Sequence, residues 1–413
     1  MIFNDFNLFF LFIQKTADNI NVMTSLIVAL DLGTTHLRGI EAEVRNGKPP
    51  KIKKIHSIPL DSDIISAGEI KNVEGLAKGI KKLFDEAKFT SKFVVSMAGG
   101  DAAETRVMET PWSPDADYKK LLPHYIREDS VLMSGSDDED KYYFDAHTLQ
   151  DFFKASDNEI NEYNPAPKLT RTKRVLVVAI KREFTDRFVE AVETAGLRPY
   201  SLDLMPLALI RAQANATDIP VNASVISVEI GGDITTIVIH KNLQPIYTDT
   251  ATFFGGLRIT NEIAQTLGVT LAEAELLKIS FSVPAEARGS LKTFNYYEGG
   301  RTEEVSYSKF SNAQKETAAM IVSREVSNIV THVGDIIEDA FSTTPDTPFR
   351  IVLSGGGAGL HSLLPRLQTE LGIPTQIIQP FAGFEKSIPN EYIINQHIYA
   401  AIYGILVGQN EIK

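Results

Sequence analysis

Two stretches of the chain share one pattern of apolar and polar positions. Leu26 to Glu43 reads LIVALDLGTTHLRGIEAE, and Ser224 to Asn242 reads SVISVEIGGDITTIVIHKN. Each opens with an apolar run that ends in an acid, a spacer and a glycine: Asp31-Leu32-Gly33 in the first, Glu229-Ile230-Gly231 in the second. Small polar residues follow, then a second alternating run. This pattern predicts two β-hairpins with tight turns. Their spacing of about 200 residues predicts a duplicated domain whose two copies face each other.

The rest of the chain is arranged around these hairpins. A turn at Gly47-Lys48-Pro49-Pro50 leads into a strand over Lys51 to Pro59. Val73 to Ala87 has apolar residues at helical spacing, and Phe93 to Met97 is a buried strand entering Gly99-Gly100. Three strands, a helix and a strand begin a ribonuclease-H-like half. Past Asp101 the patterning predicts a strand at Glu104 to Met108, a helix at Ala116 to Tyr125 and a short piece at Lys141 to Asp145. A strong strand at Arg174 to Ile180 and a helix from Arg182 to Ala195 follow. These make an inserted α/β subdomain over 101–200, and Pro199 to Ala216 returns the chain to the main body.

The second half continues with helices at Arg258 to Leu267 and Leu271 to Ser280, then a surface loop or hairpin over 285–310. One long helix spans Asn312 to Phe341. A strand from Arg350 runs into three glycines and a helix through Leu371, and an apolar helix closes at Glu391 to Gly408. The expected division is a tail at 1–23 and a first domain at 24–100, to which 201–222 and 390–413 return. The insertion takes 101–200, and a second domain takes 223–389, with a subdomain at 261–344.

Composition narrows the function. With 43% hydrophobic and 23% charged residues the chain belongs among globular proteins. Its net charge of −12, without a strongly basic run, argues against a nucleic-acid partner. Lys168 to Arg174 (KLTRTKR) is expected to be a solvated loop, as is the acidic Ser134 to Asp140, which lacks the ligand spacing of a calcium loop. The absence of cysteine excludes disulfides, thiolate zinc sites and thiol nucleophiles. No run approaches the roughly 20 apolar residues that cross a bilayer. Leu8 to Ile13 lacks the basic start of a signal peptide.

The hairpins have parts suited to phosphate. Gly33 admits close approach of a ligand, and turn amides with the hydroxyls of Thr34 and Thr35 offer donors to phosphate oxygens. Asp31 is placed to hold magnesium through water. Gly231, Gly232 and Asp233 form the matching bend, with Thr235 and Thr236 behind it. One Asp-X-Gly turn is commonplace; two in register on opposite walls would clamp a polyphosphate. Ser354-Gly355-Gly356-Gly357, between a strand and a helix, is a nucleotide-type junction. Glu275 and Lys278 share a helix face.

This order of motifs resembles the actin-like ATPase superfamily and, within it, the PilM family of type IV pilus assembly proteins. Three further stretches carry the resemblance: the insertion, VEAVETAGLRPYSLDLMPLALIRA (Val189 to Ala212), and LGVTLAEAELLK with RIVLSGGGAGLHSLLPRLQTELGIPTQIIQPF. It covers roughly Ser25 to Gly408. The resemblance implies duplicated actin-like (ribonuclease H-like) α/β domains with an inserted α/β subdomain. It also implies ATP and Mg2+ between the halves, with the metal near Asp31 and Glu229. The nucleotide would touch Gly33, Thr34, Thr35, Gly231, Gly232 and Asp233, the Gly255-Gly256 step, and Gly355, Gly356 and Gly357, while Glu275 and Lys278 bracket the ribose.

Two departures modify this expectation. Glu229 stands where the superfamily usually has Asp. The place of the residue that orients the attacking water falls at Leu204 and Met205, leaving Asp203 as the catalytic candidate; tight nucleotide binding with slow turnover is expected. The resemblance further implies a cytoplasmic adaptor at the inner face of the membrane, bound to the cytoplasmic N-terminal segment of a PilN-like membrane protein and to other pilus platform or motor proteins, with self-association possible. No direct membrane anchor is expected, since the chain stops five residues after Gly408. An FtsA-like division protein and a sugar kinase of the same superfamily are the rival readings.

Overall fold

The computed structural model describes residues 25–45, 48–111, 141–155, 169–213, 219–220, 222–252, 254–281, 294–298, 301–342, 346–384 and 388–409. The expected tail at 1–23, the helix at Ala116 to Tyr125 and the acidic loop at Ser134 to Asp140 lie outside them.

Two five-stranded sheets repeat one topology. In the first, β1 (Ser25–Leu32), β2 (His36–Arg45) and β3 (Lys48–Pro59) form an antiparallel meander. Strand β6 (Phe93–Ala98) pairs parallel to β1, and β10 (Arg198–Leu204) parallel to β6. Between β3 and β6 lie a small hairpin, β4 (Ile65–Ser66) with β5 (Glu69–Ile70), and helix α1 (Val73–Ala87).

The second sheet repeats this order. Strands β11 (Ser224–Ile230), β12 (Thr235–Lys241) and β13 (Gln244–Ala251) form the meander. Strands β16 (Pro348–Ser354) and β17 (Thr375–Ile377) follow in parallel. The strand orders, β3-β2-β1-β6-β10 and β13-β12-β11-β16-β17, correspond one to one. The duplication read from two hairpins therefore extends to the whole sheets. Their central strands, apolar on both faces, suit sheets covered by helices on either side.

The insertion is a three-stranded antiparallel sheet in the order β7-β9-β8, from β7 (Ala103–Pro111), β8 (Tyr142–Ala155) and β9 (Leu169–Lys181). Residues 169–174, expected in a solvated loop, are the first turnless half of β9 instead. Alternating threonine and basic residues satisfy strand pairing as well as a loop. A second difference concerns where the insertion ends. Helix α2 (Arg182–Thr194), expected within it, buries Phe184, Phe188, Ala191 and Val192 in the core of the first domain. It is the crossover between β6 and β10, and β10 is itself a strand of the first sheet. Among the described residues, the insertion proper thus consists of strands β7 to β9.

Helix α3 (Met205–Ala212) leaves the first sheet and packs closely against α9 (Ala400–Gln409), which follows the short α8 (Asn390–Ile394); a Cβ at Gly404 would overlap the Ala208 carbonyl. Their side chains Leu207, Ala208, Ile402, Tyr403 and Leu406 belong to the first core, whereas Ala212 and Ala400 meet Val225 and Val352 of the second sheet. This helix pair links the two domains. The second core is built on α4 (Gly256–Leu267), α5 (Leu271–Ser280) and α6 (Asn312–Phe341), with α7 (Leu363–Leu371) on the far edge. Helix α5 opens with a Thr270/Glu273 capping box and α6 with a Ser311/Gln314 one, each satisfying two otherwise orphan N–H groups. The segment expected as a surface loop or hairpin contains the hairpin β14 (Phe294–Glu298) and β15 (Arg301–Val305). No helix among the described residues is long and apolar enough to cross a membrane.

Candidate functional site

The two hairpin turns face each other. Register brings Asp31 opposite Arg38 and Leu32 opposite Leu37 in the first hairpin; Glu229 stands opposite Thr236 and Ile230 opposite Thr235 in the second. A Cβ built at Gly232 would lie 3.4 Å from Thr34 Cβ, so the turns nearly touch across the domain boundary. The Ala67 N–H, between β4 and β5, donates to Asp233 Oδ2 of the second hairpin (3.2 Å). Between the walls lies a cavity of about 900 Å³, at the upper end of the range for small-molecule sites.

Most of the residues singled out in the sequence line this cavity. Asp31, Gly33, Thr34 and Thr35 come from one wall, and Glu229, Gly231, Gly232 and Asp233 from the other. Gly256, Glu275, Lys278, Gly355, Gly356 and Gly357 complete it. Two do not line it. Gly255 lies just outside, packed on the Gly232 carbonyl. The Gly255-Gly256 step shapes the second turn: the N–H groups of Gly256 and Leu257 donate to Gly231 O and Gly232 O, both at 2.9 Å. Those first-turn donors of α4 are thereby taken, and Gly231 N–H is used to close the turn on Ile234 O (2.8 Å).

Asp203 is the other, and it is no candidate for catalysis in this fold. It is 1% exposed; its Oδ1 accepts the Leu204 N–H (2.8 Å) and its Oδ2 pairs with Arg211 Nη1 (2.5 Å). A carboxylate held this way balances a buried arginine across the β10–α3 junction. Sequence position alone brought it near the connecting helix, and its side chain stays inside the protein.

Glu275 and Lys278 form a closed network beneath the second hairpin. The Lys278 ammonium pairs with Glu275 Oε2 (2.7 Å) and donates to Gly256 O (3.0 Å) and Thr260 Oγ1 (2.9 Å). Thr260 Oγ1 in turn donates to Glu275 Oε2 (2.5 Å). An ammonium has three donors, and all three are engaged within the protein, so Lys278 fixes Glu275 and the start of α4. Glu275 itself lines the cavity.

The glycine corner also differs in detail from the strand–glycine–helix expectation. Strand β16 enters Gly355 at φ +78°, where a side chain would strain the backbone and overlap Glu229 Oε1 and the Ile230 carbonyl. A 3-10 turn, Gly356–Gly359, follows, and α7 starts only at Leu363. The cavity is therefore bordered by turn amides, with the helix end further back. Gly355 N–H donates to His397 O (3.2 Å), tying this corner to the C-terminal segment.

Arg38 was not singled out from the sequence. Its Nη1 donates to Asp31 Oδ2 at 2.8 Å, with side chains 16% and 17% exposed. Seven residues after Asp31 on the return strand, it is the position a tight hairpin sets opposite that acid, so the signal was present in the spacing. Asn261, His36 and His397 also line the cavity; the last is brought in by tertiary packing and leaves no trace in local patterning.

Electrostatics mark the floor of the cleft. Burial, reinforced by the nearby charge of Asp31 and only partly offset by Arg38, pushes the Glu229 carboxyl up to about 8. Two carboxyls that repel each other across a desolvated cleft form an arrangement a divalent cation would relieve, and magnesium is ordinarily held by one or two carboxylates plus phosphate oxygens. Asp31 and Glu229 fit that role, and turn amides with the Thr34 and Thr35 hydroxyls fit the phosphates.

Duplicated ribonuclease H-like sheets, an insertion after the fourth strand of the first, and a cleft between mirrored hairpins define an actin-like protein. Within that class the resemblance is to PilM. Residues 159–298 match the family model described as type IV pilus assembly protein PilM. A solved PilM-PilN type IV pilus biogenesis complex superposes with TM-score 0.69 at 20% identity, covering 94% of this chain and 99% of that one. The cell division protein FtsA of Streptococcus pneumoniae serotype 2 (strain D39 / NCTC 7466) is 21% identical over 360 residues, 85% of this chain and 75% of that protein.

Two outcomes follow from the site. Asp203→Ala removes an ionic partner of the buried Arg211 and is expected to cost about 3 kcal/mol in urea unfolding, while nucleotide affinity of the folded fraction stays within about twofold of wild type. Loss of affinity at undiminished stability would return Asp203 to the site. The folded protein holds the Glu229 proton up to about pH 8, whereas the unfolded chain releases it near the ordinary carboxyl value of 4.5. The folded state therefore binds more protons across that window, and this group's contribution to stability falls as pH rises from 4.5 to about 8. Glu229→Gln escapes this loss. Thermal unfolding of the ligand-free proteins should show the variant gaining on wild type between pH 5.5 and 8.5, by an amount on the order of a few kcal/mol; a constant difference would contradict the assignment.

Proposed function

We propose that this chain is an ATP-binding, actin-like adaptor of a type IV pilus inner-membrane platform, or of a related competence or secretion machine. The observation that carries the proposal is the meeting of Thr34 and Gly232 across a cavity that also takes in Gly355 to Gly357. A clamp on the polyphosphate from both walls would fix the angle between the domains. Mg2+ would arrive with the phosphates and neutralise charge between Asp31 and Glu229, supplying electrostatic balance. Adenosine would lie toward the glycine corner, and Glu275 would reach the ribose. With Asp203 engaged by Arg211, turnover of bound nucleotide is expected to be slow.

The match of residues 159–298 to the PilM model and the PilM-PilN superposition support the choice of machine. On this reading the protein sits in the cytoplasm at the inner face of the membrane, holding the cytoplasmic N-terminal segment of a PilN-like protein beside the inserted sheet. The long alignment with FtsA favours a second reading, a division protein. Filaments formed on anionic vesicles without any partner would support that alternative.

The variant Gly356→Glu tests the cleft. A Cβ at Gly356 meets nothing within 4 Å, so the fold should tolerate the change, whereas a carboxylate there would fill and charge the nucleotide's place. Calorimetric titration with Mg·ATP should show affinity reduced by about a hundredfold or more, equivalent to roughly 3 kcal/mol, at a melting temperature close to wild type. Unchanged affinity would remove the nucleotide from this corner.

A further inference from the structure

His397 reaches the cleft from a segment that belongs neither to the hairpins nor to the glycine corner. Between α8 and α9 the chain makes a single 3-10 turn, Gln396–Tyr399, and both ends of that turn are fixed. The Phe381 N–H donates to Gln396 Oε1 (2.9 Å). Tyr399, 2% exposed, packs its ring against those of Phe381 and Tyr392, with centroids 5.9 Å apart in each pair. Between these anchors the His397 carbonyl accepts the Gly355 N–H (3.2 Å), so the backbone here is also bound to the second domain. His397 is thus a pinned residue, and it lines the cavity.

The surroundings of the ring define what it can do. On one side is the 3-10 turn after the glycine corner, where a Cβ at Gly359 would stand 3.9 Å from His397 Nε2. On the other is the first hairpin, whose Arg38 is near enough for its charge to act on the imidazole. Burial, together with that charge, holds the imidazole below its ordinary value, so at neutral pH it offers one N–H donor and one acceptor. Among the described residues, neither ring nitrogen makes a hydrogen bond. An unused N–H on a fixed backbone, beside an arginine and facing a ligand cavity, is suited to an anionic oxygen.

We propose that His397 is a ligand-contacting residue of the cleft and donates to the phosphate joined to the nucleoside. The inference rests on the reading of the cleft as a nucleotide site and assigns one phosphate to one side chain. With adenosine at the glycine corner and the polyphosphate between the hairpins, the first phosphate is the group that meets a ring placed between Gly359 and Arg38. A nucleoside lacks the oxygen that His397 would hold. The residue therefore separates AMP from adenosine, while the hairpins separate ATP from AMP.

The test is calorimetric titration with AMP, adenosine and ATP, with magnesium present. The proteins are wild type, His397→Phe and His397→Leu, which have no donor, and His397→Gln, whose amide still donates. Wild type should bind AMP about tenfold more tightly than adenosine, the worth of one charge-assisted hydrogen bond. The Phe and Leu variants should lose most of that ratio while adenosine affinity stays within about twofold, and His397→Gln should recover part of it. The ratio is taken within each protein, so lowered stability in a variant does not enter it. Equal loss of AMP and adenosine affinity would make His397 a support for the glycine corner or the base and overturn the proposal. An unchanged ratio in both donor-free variants would overturn it as well. Wild type that binds ATP tightly but AMP no better than adenosine would overturn this inference alone. Wild type that binds none of the three would overturn the nucleotide reading and the inference with it.

Discussion

The rest of the structure depends on two acids, Asp31 and Glu229, that line one cleft from opposite walls, near enough for their charges to interact. Asp31 and Glu229 end equivalent strands of equivalent sheets, and the charge of one raises the proton affinity of the other. Desolvated like charges are costly, and the protein offsets part of that cost with Arg38, bonded to Asp31. The remainder is relieved at Glu229 by a retained proton. A cleft in that condition favours a ligand that brings a cation and displaces the proton, which is what a magnesium-bound polyphosphate does.

The facing of the acids is a consequence of duplication. Each sheet has the same five-strand order, so each places its first hairpin at the same relative position, and two such sheets turned toward one another bring the hairpins together. Domain contact is then made by small residues at the turns, and the helix pair α3 and α9 supplies the connection behind them. The insertion departs from the symmetry. It interrupts the crossover from β6 to β10, where the second domain has only the glycine turn and α7.

Much of this was legible in the sequence because hairpins and amphipathic helices write short-range patterns. The acid-spacer-glycine repeat located both walls, and the periodicity of Asn312 to Phe341 gave a helix with the bounds found in the structure. What was not legible depended on which surface an apolar face meets. Phe184 and Phe188 announce a buried helix face; nothing local says that it is buried by α1 and β10 and not by the insertion. Asp203 likewise looks like a free acid until Arg211, eight residues on and in the last turn of α3, is seen to hold it. Gly355 was visible as a glycine needed at a tight corner, but the 3-10 turn that pushes α7 back to Leu363 was not, since a glycine run fixes no conformation by itself.

The central claim, that mirrored hairpins grip a polyphosphate, is tested most directly by removing the phosphates from the ligand and leaving the protein unaltered. Affinities of the wild-type chain for ATP, ADP, AMP and adenosine, measured by calorimetry with magnesium present, should fall in that order, with ATP over AMP by about a hundredfold, because each phosphate lost removes charge-assisted hydrogen bonds. Equal affinity for adenosine and ATP would show that the hairpins do not hold phosphate and would contradict the account at its base.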